Sequence, residues 1–447
     1  MDGALTLPVL NELFLRGVPS QGRGRPSRGR ALIDVHDAEL ENAERRRQCK
    51  DIEAVDFTGC VSAIFVNAFS EFVQAHLLPS SDPASSDRGR GREEPLTLPG
   101  LQRLCLRSVK SVGPSLLTPF VLAFPSLTHL DLSGTHATPE LLASLAASDS
   151  VRLTSLGLSR CVRLTGESIK HLLVNSLATS NLQELNLYGD LTFGSPLTED
   201  DLHEIVTQAP CFVRGQLVYL DLSSAPITDE LLVDDFPRQP ALRSFGISYI
   251  PNLSITAIGN YLRAKATNVE VLTLISTSPE LDCGLRPSPA GVRGSAMKSS
   301  IALHSHLIQP LCTTRVSIMG VKTLAPARLR VIELSSVMLG ALGVGAGSWR
   351  VIRSKGGRGW YVDTASGWAV PAGEQHTSDE GVFSRDLPHD HPLRREFERL
   401  ADANGNVSAG TGWHARKMEV STSPFELGMS RLTYFIQGPS RVWNVGT

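Results

Sequence analysis

The chain has 447 residues, 41% apolar and 20% charged, which excludes wholesale disorder and collagen-like structure and exceeds one ordinary compact core unless the fold grows by repetition. Lys plus Arg (43) nearly balance Asp plus Glu (45), and the net charge of −2 creates no global field to recruit nucleic acid or anionic lipid. No apolar run approaches the length of about 18 residues that a membrane helix needs, and the N-terminus lacks the basic and apolar regions of a signal peptide.

Taken in chain order, the first element is LNELFLRGV from Leu10, which fits the pattern Leu-x-x-Leu-x-Leu and is read as a strand. Residues 19–48 follow as an insertion containing Gly22-Arg23-Gly24-Arg25-Pro26 and then an Arg/Glu-rich run. IEAVDFTGC from Ile52 repeats the pattern, and residues 79–98 form a second Ser/Pro/Gly/Arg-rich insertion. Such stretches are expected to be surface loops, which fold-closure entropy tolerates.

From Leu101 the pattern becomes regular: LQRLCL, LTHLDL, LTSLGL, LQELNL, LVYLDL, LRSFGI and VEVLTL begin at 101, 127, 153, 182, 217, 242 and 269, separated by 26, 26, 29, 35, 25 and 27 residues. Within each copy the alternation sends two apolar side chains to one face and the residue between them to the other. One such strand cannot stand alone, whereas stacked copies share a continuous core. Between strands the spacing becomes helical. TPELLASLAAS places Leu141, Leu142 and Leu145 on one stripe behind Pro139, and TGESIKHLLVNSLA does the same with Ile169, Leu172, Leu173 and Leu177. Thr198 followed by three acidic residues reads as a helix start.

The interval 277–328 breaks the period and is read as a third insertion, disordered like the first two, with room for one degenerate repeat around IALHSHLIQPLC before LRVIEL at Leu329. After residue 340 the composition changes, and all five tryptophans (349, 360, 368, 413 and 443) lie there. SWRVIRS, GWYVDTA, SGWAVP, GWHARKMEVS and SRLTYFIQG read as strands and HPLRREFERLADANG as a helix. The expected domains are therefore a repeat domain over 1–340 and a small β-rich module over 341–447.

A strand and a helix about every 26 residues is the pattern of the longer leucine-rich repeats. LTSLGLSRCVRLTGESIKHL (153–172), with Cys161, Leu164 and Thr165 in place, resembles the cysteine-containing leucine-rich repeats of the ribonuclease-inhibitor-like superfamily, known from F-box substrate receptors of cullin-type ubiquitin ligases. Cys60 stands at the matching position after Val55 and Phe57, and the resemblance spans roughly residues 5–340. It implies an α/β solenoid: a horseshoe with parallel strands on the concave face and helices outside. No segment reads as an F-box.

The concave face is where a horseshoe of this kind is expected to bind. The strand-centre and flanking residues there give Arg103, Arg107, His129, Asp131, Glu184, Asn186, Tyr188, Tyr219 and Asp221 as the partner-binding candidates, basic at one end and acidic with two tyrosines in the middle. Arg23 and Arg25 fit the Arg-Gly-Arg core of a minor-groove reader, a short match that ranks below an Arg/Gly-biased loop. His389-Asp390-His391 lacks partner ligands at metal spacing, Gly343–Gly347 lacks a nucleotide-loop spacing, and no nucleophile or phosphate-loop signature is present. The seven scattered cysteines, none in CxxC spacing, fit reduced thiols in cytoplasm or nucleus. The expectation is a non-enzymatic, intracellular scaffold without metal or cofactor, monomeric outside its complex. Its partner would be another protein, with ubiquitin-ligase substrate recognition as the specific form. Nucleic-acid association through the Gly/Arg loops and an enzyme in the C-terminal module are the alternatives.

Overall fold

The computed structural model describes residues 5–15, 53–78, 96–281, 292–312, 329, 331–347, 349–353, 359–363 and 434–435. Nearly all of 19–48 and 79–98, and most of the C-terminal module including His389–His391, lie outside the described residues, as do Arg23 and Arg25.

Every Leu-x-x-Leu-x-Leu copy from residue 52 onward forms a short strand: β1 Ala54–Asp56, β2 Arg103–Cys105, β3 His129–Asp131, β4 Ser155–Gly157, β5 Glu184–Asn186, β6 Tyr219–Asp221, β7 Ser244–Gly246, β8 Val271–Thr273 and β9 Val331–Leu334. These nine lie parallel and in chain order. Three further strands, β10 Gly345–Ala346, β11 Trp349–Arg353 and β12 Gly359–Asp363, extend the sheet antiparallel beyond β9, and β13 Tyr434–Phe435 lies parallel beside β1. The architecture is α/β, with a mostly parallel, open sheet and an antiparallel edge. The strands expected around Trp349 and Trp360 are present as a hairpin, and they join the same sheet through β12 and β9.

The rungs stack with no offset. Leu104 faces Leu130, Leu130 faces Leu156, and the row continues through Leu185, Leu220, Phe245 and Leu272 to Ile332. These side chains, with Leu106, Leu132, Leu158 and their equivalents, share one core with the helices. Full burial of each leucine is worth about 1.5–3 kcal/mol.

Seven of the nine parallel strands, all but β5 and β9, end in the same turn. A residue of left-handed conformation follows two positions after the second leucine: Gly59, Ser108, Gly134, Arg160, Ser224, Tyr249 and Ser276, with φ between 52° and 71°. Its N–H, where the next rung's carbonyl is in reach, bonds across the stack, as from Gly134 to Ser159 (2.7 Å) and Tyr249 to Ile275 (2.7 Å). The repeated turn thus satisfies backbone groups that the short strand leaves over.

The helices follow from local signals. We label them α1 Leu7–Leu15, α2 Ala63–His76, α3 Pro114–Leu122, α4 Pro139–Ala146, α5 Gly166–Asn175, α6 Glu199–Gln208, α7 Pro210–Val213, α8 Ile255–Ala264, α9 Val292–Ala302, α10 Gln309–Cys312 and α11 Ser336–Leu342. Proline occupies the first turn of α3 and α4, where its missing N–H costs nothing. Thr165 with Ser168, and Thr198 with Asp201, close reciprocal capping boxes on α5 and α6. The stripe Leu141, Leu142 and Leu145 is buried, as are Ile169, Leu172 and Leu173.

Three expectations are corrected. Leu10 lies in α1, a helix, and not in a strand. Its LNELFL satisfies both periods at Leu10 and Leu13, and the choice falls to the next position. Phe14, the helical partner, is buried, and Leu15, the strand partner, only partly so. Phe14 packs among Phe57, Phe72, Phe120 and Phe124, with ring centroids 5.4–6.4 Å apart, over the β1 end of the core. Leu177 is 61% exposed, because Ser176 leaves the helix with extended backbone and caps a 3₁₀ turn, its Oγ accepting from Ala178 N. Among the described residues, the interval 277–328 places no strand between β8 and β9, which pair directly. Its segment around IALHSHLIQPLC is α9, a π-helical stretch Leu303–Ile308 and α10, burying Leu303, Leu307 and Leu311. Among the described residues, no helix is long and apolar enough to cross a membrane.

Candidate functional site: the polar face of the sheet

On the face away from the leucines, the zero-offset register aligns side chains into columns. One column runs Arg103, His129, Ser155, Glu184, Tyr219, Ser244; the next runs Asp56, Cys105, Asp131, Gly157, Asn186, Asp221, Gly246, Thr273, Glu333. All seven strand candidates therefore share two columns, with Arg107 and Tyr188 two residues beyond the second.

Their exposure differs from the expectation. Arg103, His129 and Glu184 are half-buried. Arg107, Asp131, Asn186, Tyr188, Tyr219 and Asp221 are buried, Asn186 at 0% and Asp221 at 1% exposure. The acidic column is a structural device. Asp56, Asp131, Asn186 and Asp221 each turn Oδ1 back to accept the backbone N–H two residues on, at Thr58, Ser133, Tyr188 and Ser223, at 2.8–3.0 Å. This is the Asx turn, which holds the chain as it leaves the strand. Glycine in the same column makes room for it: a Cβ on Gly157 would lie 2.5 Å from Asp131 Oδ1, and one on Gly246 2.5 Å from Asp221 Cγ. A serine ladder continues the pattern, with Ser248 N donating to Ser223 Oγ (3.0 Å) and Ile275 N to Ser248 Oγ (3.1 Å).

The electrostatics follow from burial. Asp221 is pushed up to about 6, by desolvation first and by the charge of Glu333, against the bonds from Ser223. Tyr219 is raised well above its ordinary value by burial and then by the carboxylates of Asp221, Glu184, Asp131 and Glu333. His129 is lowered to about 4 by burial and the neighbouring Arg103, so it is neutral at pH 7. Asp56 is raised by burial, which the bonds from Thr58 and the charge of Arg107 oppose. Half-buried Cys105 meets Thr58 Oγ1 at 3.1 Å, and its thiol is raised by burial, then by Asp56 and Asp131. Its thiolate is therefore disfavoured.

The turn beyond the strands explains the repeat's cysteine. Cys161 is buried and donates to Leu132 O of the preceding rung (3.1 Å), its thiol pushed up to about 12 by burial. Thr277 does the same with a hydroxyl, donating to Ile247 O (2.6 Å). Asp190 stands at the equivalent position and behaves differently: it forms an ion pair with Arg160 and organises the segment that follows. Strand alternation does not select Arg160 and Phe193 of this region; the 35-residue interval between the copies at 182 and 217 is the sequence sign of extra chain there. Among the described residues, no three His, Cys, Asp or Glu side chains converge on a metal position. No family model matches the chain, and no curated protein matches it in sequence.

Proposed function

We propose that the chain is a leucine-rich-repeat protein whose sheet forms the concave wall of a horseshoe, and that it serves as a non-enzymatic scaffold for another protein. The partner segment would lie along the polar face. The observation that supports this reading most directly is the unbroken register from β1 to β9, which builds one long, rigid, hydrogen-bonded surface in place of a closed pocket. Preformed surfaces of this kind bind without a large ordering cost. The buried Asp and Asn side chains hold the chain where it leaves the strands, and the half-buried Arg103, His129 and Glu184 are the groups assigned to contact. Substrate recognition for a ubiquitin ligase is the specific form that the repeat resemblance favours.

The test is affinity capture with the full chain, comparing wild type with Arg103→Glu and Glu184→Lys, each checked for an unchanged melting temperature. Loss of the same captured protein from both variants supports the reading. Retention of every captured protein by both folded variants overturns it.

A further inference from the structure

The antiparallel end of the sheet is held by a cluster of three rings. β10 is the outermost strand there, paired with β11, which in turn pairs with β12. Gly345 of β10 has a φ of 115°, and a Cβ at that position would overlap Trp349 O, so β10 approaches β11 as only glycine permits. Trp349 is buried and packs on Tyr361 of β12, with ring centroids 5.2 Å apart. His304, on the π-helical stretch Leu303–Ile308, meets the same Tyr361 edge-on at 5.6 Å.

The π-helical stretch is firmly seated. Leu303 and Leu307 are fully buried, and Gly259 of α8 admits the backbone, since a Cβ on it would lie 2.6 Å from His306 O. Widened turns of this kind occur often where a helix carries a function.

Tyr361 Oη is the centre of the arrangement. It accepts the backbone N–H of Ala346 in β10 (3.0 Å) and lies 3.0 Å from His304 Nε2. Tyr361 is buried, and a buried hydroxyl proton left without an acceptor is costly. Among the described residues, His304 Nε2 is the acceptor within its reach. Tyr361 therefore donates to Nε2, and His304 is neutral with its own proton on Nδ1. Ala346 N–H, Tyr361 and His304 form one directed chain that ties the outermost strand to the helical layer. A proton on Nε2 breaks the chain: Tyr361 Oη then faces two donors, and its own hydrogen points at no acceptor.

Burial lowers His304 below the ordinary histidine range, in keeping with a neutral ring. The charged and titratable groups around it come from each neighbouring element. Arg350 of β11 acts on Tyr361, and Asp363 lies two residues further along the same face of β12. Exposed Lys298 stands on α9, and Arg263 of α8 bonds to Asn260. His306, on the same stretch as His304, is exposed, with Nδ1 3.5 Å from Thr256 Oγ1 of α8. Among the described residues, none of these groups bonds to His304.

We infer that His304 and Tyr361 form an acid-sensitive joint, which holds β10 on the end of the sheet while His304 is neutral and releases Ala346 when His304 takes up a proton. The sign follows from linkage. The closed joint resists protonation of His304 and the open one does not, so its hold is full above the ordinary histidine range and is lost as pH falls through it. The joint lies beyond β9 and shares no residue with the contact groups proposed on the sheet face.

The test is hydrogen exchange of the full chain, followed by mass spectrometry from pH 7.5 to pH 5. Rates are divided by the intrinsic rate at each pH, and α4 serves as the internal reference. Protection over residues 343–351 is expected to fall about two- to tenfold relative to α4 on acidification, the worth of one hydrogen bond. His304→Gln supplies a neutral acceptor and should keep its protection at pH 5. Tyr361→Phe keeps a ring against Trp349 and loses the hydroxyl, so it should be less protected at pH 7.5 and no longer respond to pH. Protection in wild type that does not change with pH, or that changes as much in His304→Gln, overturns the inference. The measurement reads no partner, so its failure is distinct from failure of the sheet-face proposal.

Discussion

At the residue scale, Asp221 shows how position in a column outweighs side-chain type. Its carboxylate is buried beside Glu333 and held by Ser223, and its pKa rises to about 6. A folded value above the unfolded one means that the folded state binds the proton more tightly. The stabilisation this provides is full below the ordinary carboxylate range and is lost as pH rises toward 6. Asp221→Asn retains the acceptor for Ser223 N and removes the charge. It is expected to raise unfolding free energy at pH 7 by about 2–3 kcal/mol, with the gain shrinking toward pH 4; urea titrations at pH 4, 5, 6 and 7 would show this. A variant no more stable than wild type at pH 7 would show that Asp221 is ionised without cost. The alternation in the sequence places Asp131 and Asp221 on the polar side correctly. It carries no information on whether a carboxylate points to solvent or turns back on its own chain. The serine two positions later, in Asp131-Leu132-Ser133 and Asp221-Leu222-Ser223, was the available sign of an Asx turn.

At the element scale, local chemistry is the better guide. Thr198 with its acidic followers and Thr165 with Ser168 start helices where the sequence places them, because a cap is a contract between residues three apart and needs no tertiary information. Thr198→Ala removes the hydroxyl that accepts Asp201 N (3.1 Å), and a loss of about 1 kcal/mol is expected. Hydrogen exchange should quicken first in the opening turn of α6. An unchanged exchange pattern would assign the helix start to packing alone. Where two periods coincide, the same local reading fails. Leu10 and Leu13 serve either, and only the aromatic cluster that receives Phe14 decides for a helix. The segment around IALHSHLIQPLC fails for a related reason, since Leu303, Leu307 and Leu311 satisfy a helical stripe that a search for strands overlooks.

At the scale of the whole molecule, each rung of the parallel sheet hydrogen-bonds only to its neighbours, and so the ends matter most. The sequence displays the repeated middle plainly, because the period is written in leucines. It does not display how the first rung is covered, because α1 is foreign to the period. Phe14→Ala is expected to cost about 3–5 kcal/mol by cavity formation. The loss should open β1 and α2 before β5 and β6, seen as protease cleavage near residues 53–78 ahead of the centre. Uniform cleavage along the chain would show that the molecule opens as one unit.

The two successive 26-residue spacings, from 101 to 127 and from 127 to 153, have a consequence for how such a chain changes over generations. Because β2, β3 and β4 stack without offset and end in the same turn, a gene that loses or duplicates one such unit joins surfaces already matched to each other. A smaller loss inside a strand puts that strand's leucines out of line, whereas connections giving intervals of 25, 27, 29 and 35 residues keep the register. A chain with one such unit duplicated is therefore expected to fold, and additions of other lengths belong in the connections, as between β5 and α6.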